Sequence, residues 1–268
     1  MRRVLIAIAL LLAVAPAFAA MQAKPVEWTL DKTTFHGVLV YDDAGGKRPG
    51  LVMVPDWKGV TDAAVDKAKH VAGRDYVVLV ADVYGKGVRP KDDTEAMAQV
   101  KKLYADRGVL RARVARALDV LKAQAGKAPL DATRLGALGY CFGGATVLEL
   151  ARSGADIAGV VTFHGGLDTS LPAQPGAIKA ALLVLNGADD RGTAGDIPAF
   201  EQEMKNAGAD WTFVNFSGAV HCFALPSANN PPGCVYNERA TRRGERMMRD
   251  FFAERFGTEP ADGRAALR

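Results

Sequence analysis

Arg134-Leu135-Gly136-Ala137-Leu138-Gly139-Tyr140-Cys141-Phe142-Gly143-Gly144 is the stretch on which the fold turns. Arg134 to Leu138 has the length and apolar character of a buried strand, and Gly143 to Arg152 has the spacing of a helix. Between them lies Gly-x-Cys-x-Gly, a tight turn in which side chains at either flank would meet neighbouring backbone. A helix that begins at such a turn aims its free N–H groups and the positive end of its dipole at the residue on the tip. At Cys141 that favours the thiolate, the reactive form of the thiol. The competing reading is a buried strand-end cysteine between glycines spaced by chance.

Outward from this stretch, apolar runs alternate with helix-length segments. Leu51 to Val54, Tyr76 to Ala81, Ile157 to Phe163, Ala181 to Leu185 and Trp211 to Phe216 read as strands. Thr94 to Tyr104, Val109 to Ala125, Ile197 to Ala207 and Asn237 to Phe256 read as helices. Val54 is followed by a loop rich in Gly and Asp, and Val26 to Asp42 reads as an antiparallel edge hairpin. Nearly continuous β-branched runs suit strands covered on both faces. The pattern predicts one α/β domain over residues 21–268, with a mostly parallel central sheet and helices on both faces. Ligands of such sheets sit in the loops at the carboxyl ends of the strands.

Gly139 to Gly143 has the form of the nucleophile elbow of the α/β hydrolases, with Cys in place of Ser. Such folds supply the nucleophile, the acid and the histidine in that chain order. Of the four histidines, only His221 follows the last predicted strand. His36 lies in the hairpin and His70 on a predicted helix. His164 follows a strand and reads as a structural hydrogen-bonding residue that could also line the pocket. Asp189 and Asp190 compete for the acid. Spacing from Gly187 favours Asp190 and leaves Asp189 as a solvated turn residue or cap.

Taken together, Val54-Pro55-Asp56-Trp57-Lys58-Gly59-Val60, Ala81-Asp82-Val83-Tyr84, Gly139 to Gly144, Gly187 to Asp190, Gly218 to Phe223 and Tyr236-Asn237 resemble the dienelactone hydrolase family, over about Leu51 to Phe252. The resemblance implies a triad of Cys141, His221 and Asp190 and an oxyanion hole from the backbone N–H groups of Trp57 and Phe142. It also implies that Asp56, where the family commonly has Glu, interacts with the nucleophile. The competing reading makes Asp56 a loop cap. Of two basic residues that bind the substrate carboxylate in the family, one position is Lys86 here and the other is Leu225. Lys86 is thus a substrate-binding candidate or a solvated loop lysine. Loss of the arginine-type clamp counts against dienelactone itself as substrate.

Hydrophobic residues make up 49% of the 268 and charged ones 24%, which excludes a disordered or collagen-like chain. The net charge of +4 is scattered, so nucleic acid is not an expected partner. Residues 1–20 combine Arg2 and Arg3, the apolar run Val4 to Val14, and Ala17-Phe18-Ala19, the pattern of a cleaved signal peptide. The mature protein is expected in the periplasm or outside the cell, with no stable membrane association. Three cysteines allow one bridge besides the nucleophile, and Cys222–Cys234 would close a Pro-, Asn- and Gly-rich loop. The expected activity is hydrolysis of small esters or lactones through an acyl-enzyme, with no metal or organic cofactor. The alternative is a non-catalytic binding protein on a hydrolase scaffold.

Overall fold

A computed structural model describes residues 20–258. The signal-peptide segment, Ala20 apart, lies outside the described residues. Strands β1 (Met21–Leu30) and β2 (Thr33–Asp42) form an antiparallel hairpin across Asp31-Lys32. Asp31 adopts φ 52°, a left-handed conformation that Asp tolerates well. The hairpin starts at Met21, earlier than the predicted Val26, because its first residues are largely exposed and carry little apolar signal.

The remaining strands of the sheet are β3 (Arg48–Val54), β4 (Val77–Val80), β5 (Leu130–Tyr140), β6 (Gly159–Phe163), β7 (Ala181–Gly187) and β8 (Trp211–Phe216). They run parallel to one another, and the spatial order is β1-β2-β4-β3-β5-β6-β7-β8. Among the described residues six helices accompany them: α1 (Asp62–Ala72), α2 (Asp93–Tyr104), α3 (Arg107–Lys122), α4 (Phe142–Arg152), α5 (Ile197–Ala207) and α6 (Glu238–Phe256). A short ribbon, β9 (Asn229–Asn230) and β10 (Cys234–Val235), precedes α6.

Strand alternation divides the interior into two cores. Val52, Val54, Leu79 and Ala137 face one side, where Leu110 and Val114 of α3 and Val147 of α4 pack. Leu51, Met53, Val78 and Leu138 face the other, against Val71 of α1 and Phe252 of α6. Each Val, Leu, Met or Phe among them, fully buried, contributes roughly 1.5–3 kcal/mol of hydrophobic stabilisation. The Gly- and Asp-rich loop after Val54 ends at Thr61, whose hydroxyl accepts the Ala64 N–H at 3.2 Å and starts α1.

Strand β3 lies between β4 and β5, so the winding reverses there. A crevice forms where the loops after β3 and β5 part in opposite directions. Those loops carry Asp56-Trp57 and Cys141.

Candidate active site

Cys141 stands between β5 and α4 with φ 54° and ψ −119°. A side chain held in so unfavourable a region costs on the order of 1–3 kcal/mol, so the surrounding packing must impose it. The glycines allow it. A Cβ at Gly139 would lie 2.1 Å from the Gly143 carbonyl oxygen, and one at Gly143 would lie 2.0 Å from that of Val54. The start of α4 therefore rests directly on the end of β3. No side chain caps α4, and the Phe142 N–H, at its first position, has no acceptor within the helix.

His221 arrives from the loop after β8. Its Nε2 lies 3.1 Å from Cys141 Sγ, and its Nδ1 lies 2.7 Å from Asp190 Oδ2. Asp190 is 3% exposed, and its other oxygen accepts the Gly192 N–H at 2.9 Å. The acid and histidine loops are tied by a backbone bond from Asp189 N–H to the Ala219 carbonyl, 2.9 Å. Asp189 itself points to solvent. The structure thus brings Asp190, not Asp189, to His221. Burial works against a charged His221 ring, but its hydrogen bonds to Asp190 and Cys141 outweigh it, and the pKa is pushed up to about 10.

The histidine loop is braced from below. The His221 carbonyl accepts the Val235 N–H at 3.1 Å, and a Cys222–Cys234 disulfide joins the loop to β10. Cys141 is the free cysteine of the described residues.

The Trp57 N–H, across the crevice, has no hydrogen-bond acceptor among the described residues, and the Trp57 carbonyl accepts the Tyr84 hydroxyl at 3.0 Å. Asp56 does not bond to Cys141. Its carboxylate accepts the Lys58 N–H at 2.9 Å, the capping arrangement, and burial raises its pKa. Lys86 is not brought to the nucleophile. Its ammonium pairs with Glu27 of β1 at 2.6 Å and its N–H bonds to the Thr34 carbonyl, so the hairpin claims it. The structure places Lys86 against an edge-strand carboxylate rather than beside Cys141.

His164 also departs from expectation. It is fully buried, yet neither ring nitrogen has a hydrogen-bond partner. Its ring stands edge-on to His221 and to Phe223, each 5.2 Å between centroids. Burial and the neighbouring His221 hold its pKa well below the ordinary value, so it stays neutral.

Sequence reasoning missed the aromatic wall beside the elbow. Tyr84 stacks on Phe142 at 5.4 Å, and Tyr104 packs on the same ring at 5.8 Å. Burial pushes both phenols up. Tyr84 lay within a quoted motif, but nothing in its spacing signalled contact with Phe142. Among the described residues no cluster of three or more His, Cys, Asp or Glu is placed to hold a metal ion.

Comparison with known proteins gives a consistent picture. The model of the dienelactone hydrolase family matches residues 35–256. A solved structure named m3DLH superposes with a TM-score of 0.82 at 38% identity, covering 88% of this chain and 99% of that one. A dienelactone hydrolase-like promiscuous phosphotriesterase from metagenomic libraries superposes at 0.80 with 35% identity, covering 89% of this chain and all of that one. A Salmonella typhimurium protein whose provisional name is carboxymethylenebutenolidase is 27% identical over 218 residues, 78% of each chain.

Proposed function

The chain belongs to the dienelactone hydrolase family, and from that premise we propose that it is an exported cysteine hydrolase of small carboxylic esters or lactones. The observation that carries this reading is the chain of contacts Cys141–His221–Asp190 at 3.1 and 2.7 Å, at the open end of α4. Cys141 is the nucleophile, and its proton rests on His221 when the sulfur attacks. Its sulfur attacks the ester carbonyl, and the N–H groups of Trp57 and Phe142 receive the oxyanion, typically worth a few kcal/mol for one such donor. Collapse breaks the carbonyl–alkoxide bond, and the His221 proton goes to the departing oxygen. Water, deprotonated by the now neutral His221, then attacks the thioester. This releases the acid and restores the thiolate–imidazolium pair. Asp190 orients the ring and stabilises its cation at both stages.

Export rests on the pattern of residues 1–20, and it suits the disulfide beside the histidine loop. The discriminating experiment is hydrolysis of 4-nitrophenyl acetate by the purified mature protein and by Cys141→Ala. A loss of at least about 100-fold is expected. Equal rates overturn the mechanism.

A further inference from the structure

A cavity of about 550 Å³ opens between α1 and α6, on the far side of the elbow from Tyr84 and Tyr104. That volume suits a small organic ligand. Its lining comes close to the reacting residues along the chain at three points. Tyr140, in its floor, precedes Cys141; Pro55 and Asp56 precede Trp57; and Leu225 follows His221 by four residues.

The charged side chains around it are already engaged. Lys67 donates to the Ala224 carbonyl at 2.8 Å and stands 4.7 Å above the Tyr140 ring. Glu245 meets His70 at 3.3 Å, Asp66 meets Lys69 at 2.8 Å, and Arg242 meets Glu238 at 3.9 Å. Asp56 accepts the Lys58 N–H. Met53, Pro55, Ala64, Leu225 and Tyr236 give a ligand an apolar surface, beside the Tyr140 hydroxyl, which has no hydrogen-bond partner among the described residues. A carboxylate entering here would meet the Lys67 ammonium, which keeps two of its three donors, but would also face Asp56 and Glu245.

We propose that this cavity receives an uncharged apolar arm of the ester, on its acyl or its alkoxy side, and that Ala64 and Leu225 limit its length. The inference rests on the hydrolase reading and adds the substrate class: neutral medium-chain esters. Each methylene buried is worth about a fourfold gain at most.

The test is a pH-stat assay of the wild type on ethyl acetate, ethyl hexanoate, hexyl acetate and monoethyl adipate. The kcat/KM for ethyl hexanoate or hexyl acetate should exceed that for ethyl acetate by on the order of 100-fold. Monoethyl adipate should fall at least tenfold below ethyl hexanoate. Ala64→Phe, which fills the cavity from α1, should remove the chain-length gain and leave ethyl acetate within twofold. Turnover of ethyl acetate with no chain-length gain overturns the cavity assignment alone. So does preference for the adipate, or an equal loss on all esters in Ala64→Phe. Turnover of none of the four overturns the hydrolase reading and, with it, this one. The wild-type series decides the matter should Ala64→Phe not fold.

Discussion

Replacing Asp190 by Asn removes one negative charge at 2.7 Å from His221 Nδ1 and keeps the shape of the side chain. With charge centres about 4 Å apart and an effective dielectric near 20, the lost attraction is about 4 kcal/mol. That corresponds to roughly three pKa units. His221, now pushed up to about 10, should therefore titrate near 7 in the variant. At pH 8.5 its cation fraction would fall from nearly complete to about 3%. The sign for stability follows from the same shift. A raised histidine pKa contributes stability in full below the unfolded value of about 6.5, and that contribution is lost as pH rises through about 10. The wild type should thus lose thermal stability between pH 6.5 and 10, and Asp190→Asn should lose less over that window. Imidazole NMR titration of the four histidines gives the midpoint directly, with His221 assigned by its absence from His221→Ala. Ester hydrolysis should drop about 100- to 10,000-fold in Asp190→Asn, while Asp189→Asn, at an exposed position, should match the wild type. A folded Asp190→Asn whose His221 midpoint moves by less than about one unit would refute the reasoning.

Three further outcomes are expected. Iodoacetamide should alkylate Cys141 faster than a model thiol near pH 7 and abolish activity in step; mass spectrometry that finds another cysteine labelled first would displace Cys141 from its role. Denatured, unreduced protein should titrate one free thiol per chain, where three would reject the Cys222–Cys234 bridge; Cys222→Ser should cost about 2–3 kcal/mol in urea melts, as expected for a loop of this size. Gly143→Ala should cost about 3 kcal/mol or more, because the strand backbone 2.0 Å from the new Cβ has no room to yield. Gly46→Ala, with nothing within 4 Å, should be neutral by comparison.

The sheet was legible because its parallel strands are covered on both faces and read as unbroken apolar runs. Trp211 to Phe216 and Ile197 to Ala207 are found with the predicted ends. Where polar residues take part in a strand, the reading came up short. Strand β5 begins at Leu130 rather than Arg134, because Asp131 and Thr133 spend their side chains on a local turn, 2.6 Å apart. The placement of Cys141, Asp190 and His221 was legible for a topological reason. Each follows a parallel strand, and the carboxyl ends of parallel strands meet on one edge of the sheet.

Residues that act on the site from the side had no such address. Lys86 is drawn away by Glu27, which lies 59 positions earlier on an edge strand whose pairing the sequence leaves open. The cavity between α1 and α6 is built from Ala64, Leu225 and Tyr236, types that carry no signal alone. His164 is the sharper case. A buried histidine ordinarily finds a hydrogen bond, since a polar group without one costs about 1–3 kcal/mol. Here both nitrogens go without, and the ring is wedged between His221 and Phe223. Its low pKa follows from that position: burial denies a charged ring its solvation, and a second cation 5.2 Å from a His221 held charged to about pH 10 would also be repelled. A neutral ring there leaves the imidazole charge of the site on His221, beside Asp190 and Cys141. That is where a leaving group would need a proton.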